Sequence, residues 1–426
     1  MGEWREYTLD DVCLKITDGA HQSPKSVDIG MSMVSVKDLT PFGLNIETAR
    51  KISNVDYEML VKQGCQPEVG DVLIAKDGNS ALDTVCNIIE PVEVVLLSSV
   101  AILRPNTTLI DSRFLKYYFS SNRTIGYLKT NFISGAAIPR VVLRDFKKAL
   151  IMLPDLETQE SISDILQSLD DKIELNRKMN ETLEEMARAI FKSWFVDFDP
   201  VHAKARGEKP AGMPDEIADL FPSEFVHSDQ LNKPIPKGWE VKPISCLADL
   251  NSKSWTNKNA PKKIKYIDLA NTKNGEISLV IEYLFPEAPS RARRVLSIGD
   301  TIIGTVRPGN RSFAYISDDG LTGSTGFAVM TPKQFDFKEF VFLALTQDSS
   351  IDYFAHLADG AAYPAVRPEV VANIEFVIPP ENIVKAFSIT TADLLVKIDL
   401  NRKQNIELSV IRDSLLPKLI SGKIEV

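Results

Sequence analysis

The sequence predicts an α/β protein that is one unit written twice. Two similar α/β domains are separated by two long antiparallel coiled-coil helices, giving a pseudo-twofold internal repeat. Three observations predict this. Framework phrases recur at a spacing of 225 residues, each copy mixes strand and helix patterns, and each copy ends in an uninterrupted heptad stretch.

The repeat is ungapped over its best phrases. Lys172-Ile173-Glu174-Leu175-Asn176-Arg177-Lys178 matches Lys397-Ile398-Asp399-Leu400-Asn401-Arg402-Lys403. On the same diagonal, Leu153-Pro154 matches Ile378-Pro379, and Gly135-Ala136-Ala137-Ile138-Pro139 matches Gly360-Ala361-Ala362-Tyr363-Pro364. Upstream the register drifts, as loop insertions would cause: Val69–Ile74 pairs with Ile298–Ile303, and Trp4 with Trp239. The boundaries that follow are a first domain over 1–153, a central helix over 154–200, a linker over 201–235, a second domain over 236–379 and a C-terminal helix over 380–426.

Within the domains, apolar β-type runs over Asp71–Ala75, Val92–Leu103 and Thr301–Val306 are broken by Gly, Pro and Asn turns. Helical patterns at Ser112–Ser121 and Lys338–Thr346 lie among them. The Gly-rich run Gly320–Gly326 lacks a following Lys and reads as a turn into a strand at Phe327–Met330.

The heptad stretches carry Ile162, Leu166, Leu169, Ile173, Asn176, Asn180, Leu183, Ala187, Ile190 and Trp194 in one copy. The other carries Phe387, Thr391, Leu394, Ile398, Asn401, Asn405, Leu408, Arg412, Leu415 and Leu419. Steps of four and three are the a/d pattern of a coiled coil. About 40 residues at 1.5 Å each give a rod of roughly 60 Å. Asn occupies the same two seam positions in both copies, Asn176 and Asn180, then Asn401 and Asn405. Paired amides there would fix register and orientation; the alternative is four solvated residues at the seam edge.

Composition narrows the function classes. Net charge is −9, yet residues 154–221 hold 8 basic against 16 acidic side chains, so the two domains are nearly balanced. A DNA partner is neither excluded nor shown by that distribution. No run approaches a membrane span, and the first residues lack a signal-peptide pattern, so a cytoplasmic location is expected. Cys13, Cys65, Cys86 and Cys246 form no CxxC pair and read as reduced thiols. His21, His202, His227 and His356 show no metal-ligand spacing.

Taken together, the order of variable domain, helix, variable domain, helix resembles the specificity subunits of type I restriction–modification systems. The likeness is carried by Leu153-Pro154 leading through Gln159-Glu160, Lys172–Asn176, Phe191-Lys192-Ser193-Trp194-Phe195-Val196-Asp197-Phe198-Asp199-Pro200-Val201, Leu415–Ile424, and Asp18-Gly19-Ala20-His21 with Pro24. The resemblance covers essentially the whole chain. It implies two target-recognition domains, each reading half of a bipartite double-stranded DNA site, and helices that dock two methyltransferase subunits. It also implies restriction subunits in the complex, with S-adenosylmethionine, ATP and Mg held by partners and none in this chain.

The residues support binding rather than catalysis. No Walker A pattern and no Asn/Asp-Pro-Pro-aromatic methyltransferase phrase are present. A loose nuclease pattern, Pro214-Asp215 with Glu240-Val241-Lys242, falls on the repeat framework and has no counterpart beside Trp4. A DNA-modifying enzyme fragment and a scaffold that binds no DNA remain as competing classes.

DNA contact needs basic groups for phosphates and Arg, Lys, Asn or Gln for base edges. In the first domain the candidates are His21, Lys25, Lys76, Asn79 and Ser80. In the second they are Lys258, Lys262, Lys263, Arg291, Arg293, Arg307 and Arg311. The loops Lys76–Ser80 and Arg307–Arg311 follow equivalent strands and are the preferred pair, while the Gly-Ala-Ala-x-Pro phrases read as framework or phosphate contact. Each single residue has a plain alternative as a solvated surface charge.

Overall fold

Two 40-residue helices, Leu156–Phe195 and Glu381–Ile420, dominate the secondary structure. They come from the heptad stretches, where no Pro or Gly interrupts the i→i−4 ladder until Pro417 in the last turn of the second. Asp155 opens the first, its carboxylate accepting from the Thr158 amide at 2.9 Å. The computed structural model describes residues 4–135, 139–360 and 363–426. The chain forms two compact units, Met1–Arg177 with Arg402–Val426, and Lys178–Asn401. The division falls inside both long helices, not at their ends, because each unit builds its core on half of each helix.

In the first unit the helix halves run antiparallel. Asn176 Nδ2 donates to Gln404 Oε1 at 2.8 Å and to Asn405 Oδ1 at 2.9 Å, and Asn405 Nδ2 donates to the Ile173 carbonyl at 3.2 Å. Further along, Arg412 meets Asp170 at 2.8 Å, and Ile162 and Leu166 share a core with Leu416, Leu419 and Ile420. The second unit repeats the arrangement. Asn401 Nδ2 donates to Asn180 Oδ1 at 2.8 Å, and Asn180 Nδ2 to the Ile398 carbonyl at 3.2 Å. Phe191, Trp194 and Phe195 pack on Phe387 there, with ring centroids 4.9–5.9 Å apart. Asn176, Asn180 and Asn401 are buried and Asn405 is half-buried, so these amides are structural partners rather than solvated edge groups.

The doubled sequence yields a doubled sheet. The first unit orders four antiparallel strands as Cys13–Asp18, Val100–Pro105, Val72–Ala75 and Val85–Asn87. The second orders Ala248–Leu250, Phe327–Pro332, Thr301–Gly304 and Phe313–Tyr315 in the same way. A second sheet also recurs. Met31–Val34 pairs parallel with Val94–Leu96 and antiparallel with Arg50–Ile52. Lys263–Ile267 pairs parallel with Leu321–Ser324 and antiparallel with Ile281–Leu284. The apolar run 92–103 is therefore two strands in two sheets, separated by a turn in which the Val100 amide donates to Leu97. Likewise Leu321–Ser324, inside the Gly-rich run, is itself a strand. Helices at Ser112–Ser120 and Lys338–Thr346 cover the sheets at matched positions.

The stretch 201–235, expected as a linker, is structured. It follows the helix Asp199–Ala205 with a second short helix and the hairpin of Phe225–Ser228 with Lys233–Pro236. Its Phe221 and the preceding Phe198 enter the core of the second unit, lying 6.2 and 5.6 Å from Trp239. Pro and Gly punctuation suggested a tether, but the spaced aromatics find an apolar face to bury against. The four cysteines are free, and burial pushes the Cys13 and Cys86 thiols up to about 12.

Asn401→Leu strands the buried Asn180 Oδ1 and should cost ~1–3 kcal/mol. The double change Asn180→Leu with Asn401→Leu should recover more than half of that in urea unfolding. No recovery would mean that the amides do not act as a pair. Asp170, 2% exposed, accepts from Lys116, Tyr117 and Arg412, each at 2.8 Å. Burial pushes its carboxyl up, but the two cations and the hydroxyl outweigh this and leave it below the ordinary value. Asp170→Asn, which takes the buried Lys116 ammonium's carboxylate away and leaves Arg412 only Asp413, should cost ~3–5 kcal/mol at neutral pH. The carboxylate's contribution is full above the unfolded carboxylate range and is lost as pH falls through its depressed folded value. The gap between wild type and variant should therefore narrow only in strong acid.

Candidate nucleic-acid interface

In each unit a buried strand, Val72–Ala75 or Thr301–Gly304, runs into a loop that is clamped to the tail of a Gly-Ala-Ala-x-Pro phrase. In the first unit the Gly78 amide donates to the Pro139 carbonyl at 2.9 Å, and the Val141 amide to Lys76 at 3.0 Å. In the second, the Arg307 amide donates to Pro364 at 2.7 Å, and the Val366 amide to Thr305 at 2.9 Å. Single antiparallel bridges complete both clamps, Asp77 with Arg140 and Val306 with Ala365. Two features kept apart in the sequence thus form one composite surface in each unit. Ala136, Ala137, Ile138, Ala361 and Ala362 lie outside the described residues.

The loop in the second unit is held in a demanding conformation. Arg307 and Arg311 have φ of 48° and 60°, the left-handed region that a non-glycine residue enters at a cost of ~1–3 kcal/mol. They flank a single 3₁₀ turn, Pro308–Asn310, which aims the two side chains differently. Arg307 is exposed and lies over the Tyr363 ring, 4.8 Å from its centroid. Arg311 is half-buried, 2.7 Å from Asp348 and donating to Asn274 Oδ1 at 3.1 Å. One arginine is presented on an aromatic platform and the other braces the loop.

In the first unit the matching loop corrects an expectation. Lys76 is not a surface cation. Its side chain is 7% exposed, and its ammonium sits 2.6 Å from Asp18 Oδ2. The strand Val72–Ala75 is buried along its length and carries Lys76 inward, where only an ion pair compensates its desolvation. That pair draws in the Asp18–His21 turn, with His21 Nε2 3.2 Å from Asp18 Oδ1. Gly19 permits the approach, since a Cβ there would lie 2.2 Å from the Leu96 carbonyl oxygen. Arg50 fixes the continuation by donating to Pro24 O and Ser23 Oγ, both at 2.9 Å. His21, Lys25, Asn79 and Ser80 are left exposed around this framework.

The remaining basic candidates lie on the second sheet of the second unit. Lys258, Lys262 and Lys263 are exposed at the start of Lys263–Ile267 and in the turn before it. Trp255 joins that turn to the arginine strand, its amide donating to Arg293 O at 2.7 Å and its Nε1 to Thr322 at 2.9 Å. Arg291 is exposed and donates to Tyr266 OH at 2.9 Å and to Asp268 at 3.2 Å. Arg293 lies over Phe285 at 4.7 Å. Arg294 is tucked in, and burial pushes its guanidinium down from the ordinary value. The sequence reading missed Arg50 and gave Asp18 and Tyr363 no contact role. The first two are loop anchors joined across 26 and 58 residues, which spacing alone does not reveal. Tyr363 was visible as the one large ring within a phrase that the other copy fills with Ile138.

The family described as type I restriction modification DNA specificity domain matches residues 1–185. The type I restriction enzyme HindI specificity subunit of Haemophilus influenzae is 28% identical, with all of both chains covered. The MjaIX specificity subunit of Methanocaldococcus jannaschii is 28% identical over 74% of this chain and 70% of its own. In fold, the chain is similar to the type I S subunit from M. genitalium, with a TM-score of 0.56, 14% identity, and 98% and 96% of the two chains covered. Whole-length similarity to named relatives and a matching specificity domain over residues 1–185 make this chain similar to the specificity subunits of type I restriction–modification systems.

Proposed function

We propose that this chain is the non-catalytic DNA reader of its restriction–modification complex, each domain taking one half of a bipartite duplex target. The observation that carries this is the repeated clamp. One backbone frame, used twice, presents Asn79 and Ser80 in one unit and the stacked Arg307 in the other. A shared frame with different side chains suits two half-sites of different sequence, because backbone contacts position while side chains on base edges discriminate.

In this reading the paired helices set the gap between half-sites and dock two methyltransferase subunits. S-adenosylmethionine, ATP and Mg belong to the methyltransferase and restriction subunits. Among the described residues no helix is long and apolar enough to cross a membrane, which is compatible with work in the cytoplasm beside the chromosome.

Methylome sequencing of the host with and without this gene tests the proposal. The expected result is loss of one adenine motif with two specified halves and a fixed spacer. An unchanged methylome would overturn it. On the duplex so identified, Arg307→Ala should weaken binding about 10- to 100-fold, the ~1–3 kcal/mol of a lost base contact. Relaxed choice should appear at one or two positions of one half-site only. Lys76→Met should act differently, lowering stability by ~3 kcal/mol through the stranded Asp18 while leaving the salt dependence of binding unchanged.

A further inference from the structure

The two copies differ in what covers their framework tryptophans. Trp239 is 3% exposed. The segment 198–236 seals it with Phe198 and Phe221, and Gln230 of the same segment donates to Glu375 Oε1 at 2.7 Å on the neighbouring strand. In the first unit Trp4 holds the equivalent place. It packs 6.3 Å from Phe114, as the repeat partner of Phe114, Phe340, packs within the Trp239 core. Gly422 lies so close that a Cβ there would be 2.7 Å from Trp4 Nε1. Trp4 is only half-buried.

Beside Trp4 lies a cleft of about 350 Å³ walled by Tyr118, Tyr127, Leu150, Met152 and Ile420. Leu150 and Met152 stand on the strand equivalent to the one that carries Glu375, and are 43% and 38% exposed. Their amides are taken by Tyr127 and Tyr118 hydroxyls at 3.2 and 3.1 Å, so the strand edge is satisfied and what remains open is apolar side-chain surface. Among the described residues that line the cleft, Arg123 is the one that carries charge. The segment that covers the matching face in the second unit is net acidic: residues 198–236 hold seven carboxylates, among them Asp215, Glu216 and Asp219, against four cations.

From this we infer that the Trp4 cleft is a docking site for an acidic, aromatic-bearing segment of a methyltransferase subunit, seated as residues 198–236 are seated on Trp239. The molecule's own second half supplies the template for the occupant, with rings that reach the tryptophan and a side chain that bonds to the strand, while Arg123 in the cleft suits the net negative charge of such a segment. The inference rests on the proposal that methyltransferase subunits assemble on this chain.

The test measures binding of the purified methyltransferase subunit to the full chain. Leu150→Glu with Met152→Glu should weaken it at least tenfold with the thermal midpoint of the chain unchanged, and Leu150→Lys with Met152→Lys should weaken it much less. Equal assembly of wild type and the Glu pair would overturn the inference and leave the function standing. A wild-type chain that binds no methyltransferase would overturn both. Should the Glu pair fail to fold, a benzophenone amino acid at Met152 in the assembled complex decides. A crosslink to an acidic, aromatic methyltransferase peptide supports the site. A crosslink to this chain itself, to a second copy, or to no methyltransferase peptide overturns it.

Discussion

The pairing of seam amides is the constraint on which the rest depends. A carboxamide buried between two helices must find a partner or strand a polar group at a cost of ~1–3 kcal/mol. Asn180 meets Asn401 in one unit and Asn176 meets Asn405 in the other. Sliding either helix half by one heptad would break these pairs and set most of the amides against Leu, Ile or Ala. Register is thereby set by hydrogen bonding, while the flanking apolar positions supply the burial. The same half-helices then serve as the floor on which Phe114 and Phe119 pack in one unit and Phe340 in the other.

From that floor the sheets inherit their positions, and the sheets in turn hold the loops. The strands Val72–Ala75 and Thr301–Gly304 are buried throughout, so the first residue able to reach solvent comes just past their ends. Nature of the side chain then decides what happens. Lys76 turns inward to Asp18, whereas Arg307 is thrown outward by its left-handed backbone and laid on Tyr363. The clamps match Lys76 with Thr305 and Gly78 with Arg307, so one frame carries different side chains at equivalent positions, which is what divergence of recognition under a fixed fold requires.

Legibility in the sequence followed the range of the interaction. The repeat, the heptads and the seam asparagines are local patterns, and they predicted both 40-residue helices and their direction. The sheet order and the clamps depend on contacts such as Gly78 to Pro139, which no period encodes. Lys76 was misplaced because a lysine after a strand looks the same whether it points out or is paired inside. The 201–235 stretch was misread because its aromatics are spaced irregularly and its Pro and Gly content resembles a tether. What could have been noticed is that Phe221 and Phe225, just after Phe198, are too many rings for a solvated linker.

Charge is the last point that the fold reconciles with the proposed role. A chain at −9 is a poor general ligand for DNA, since non-specific binding is almost entirely electrostatic. Its outward arginines are also held rather than free to roam: Arg311 by Asp348, Arg291 by Asp268 and Tyr266, and Arg307 by the Tyr363 ring. Such pairing lowers the side-chain entropy lost on binding and keeps the surface potential modest. A duplex with the right base edges can compete for these guanidiniums, while a duplex offering only phosphates must displace a carboxylate for an exchange that is nearly even. Weak background affinity combined with ordered donors favours discrimination over tightness, and discrimination is what a specificity subunit contributes to its complex.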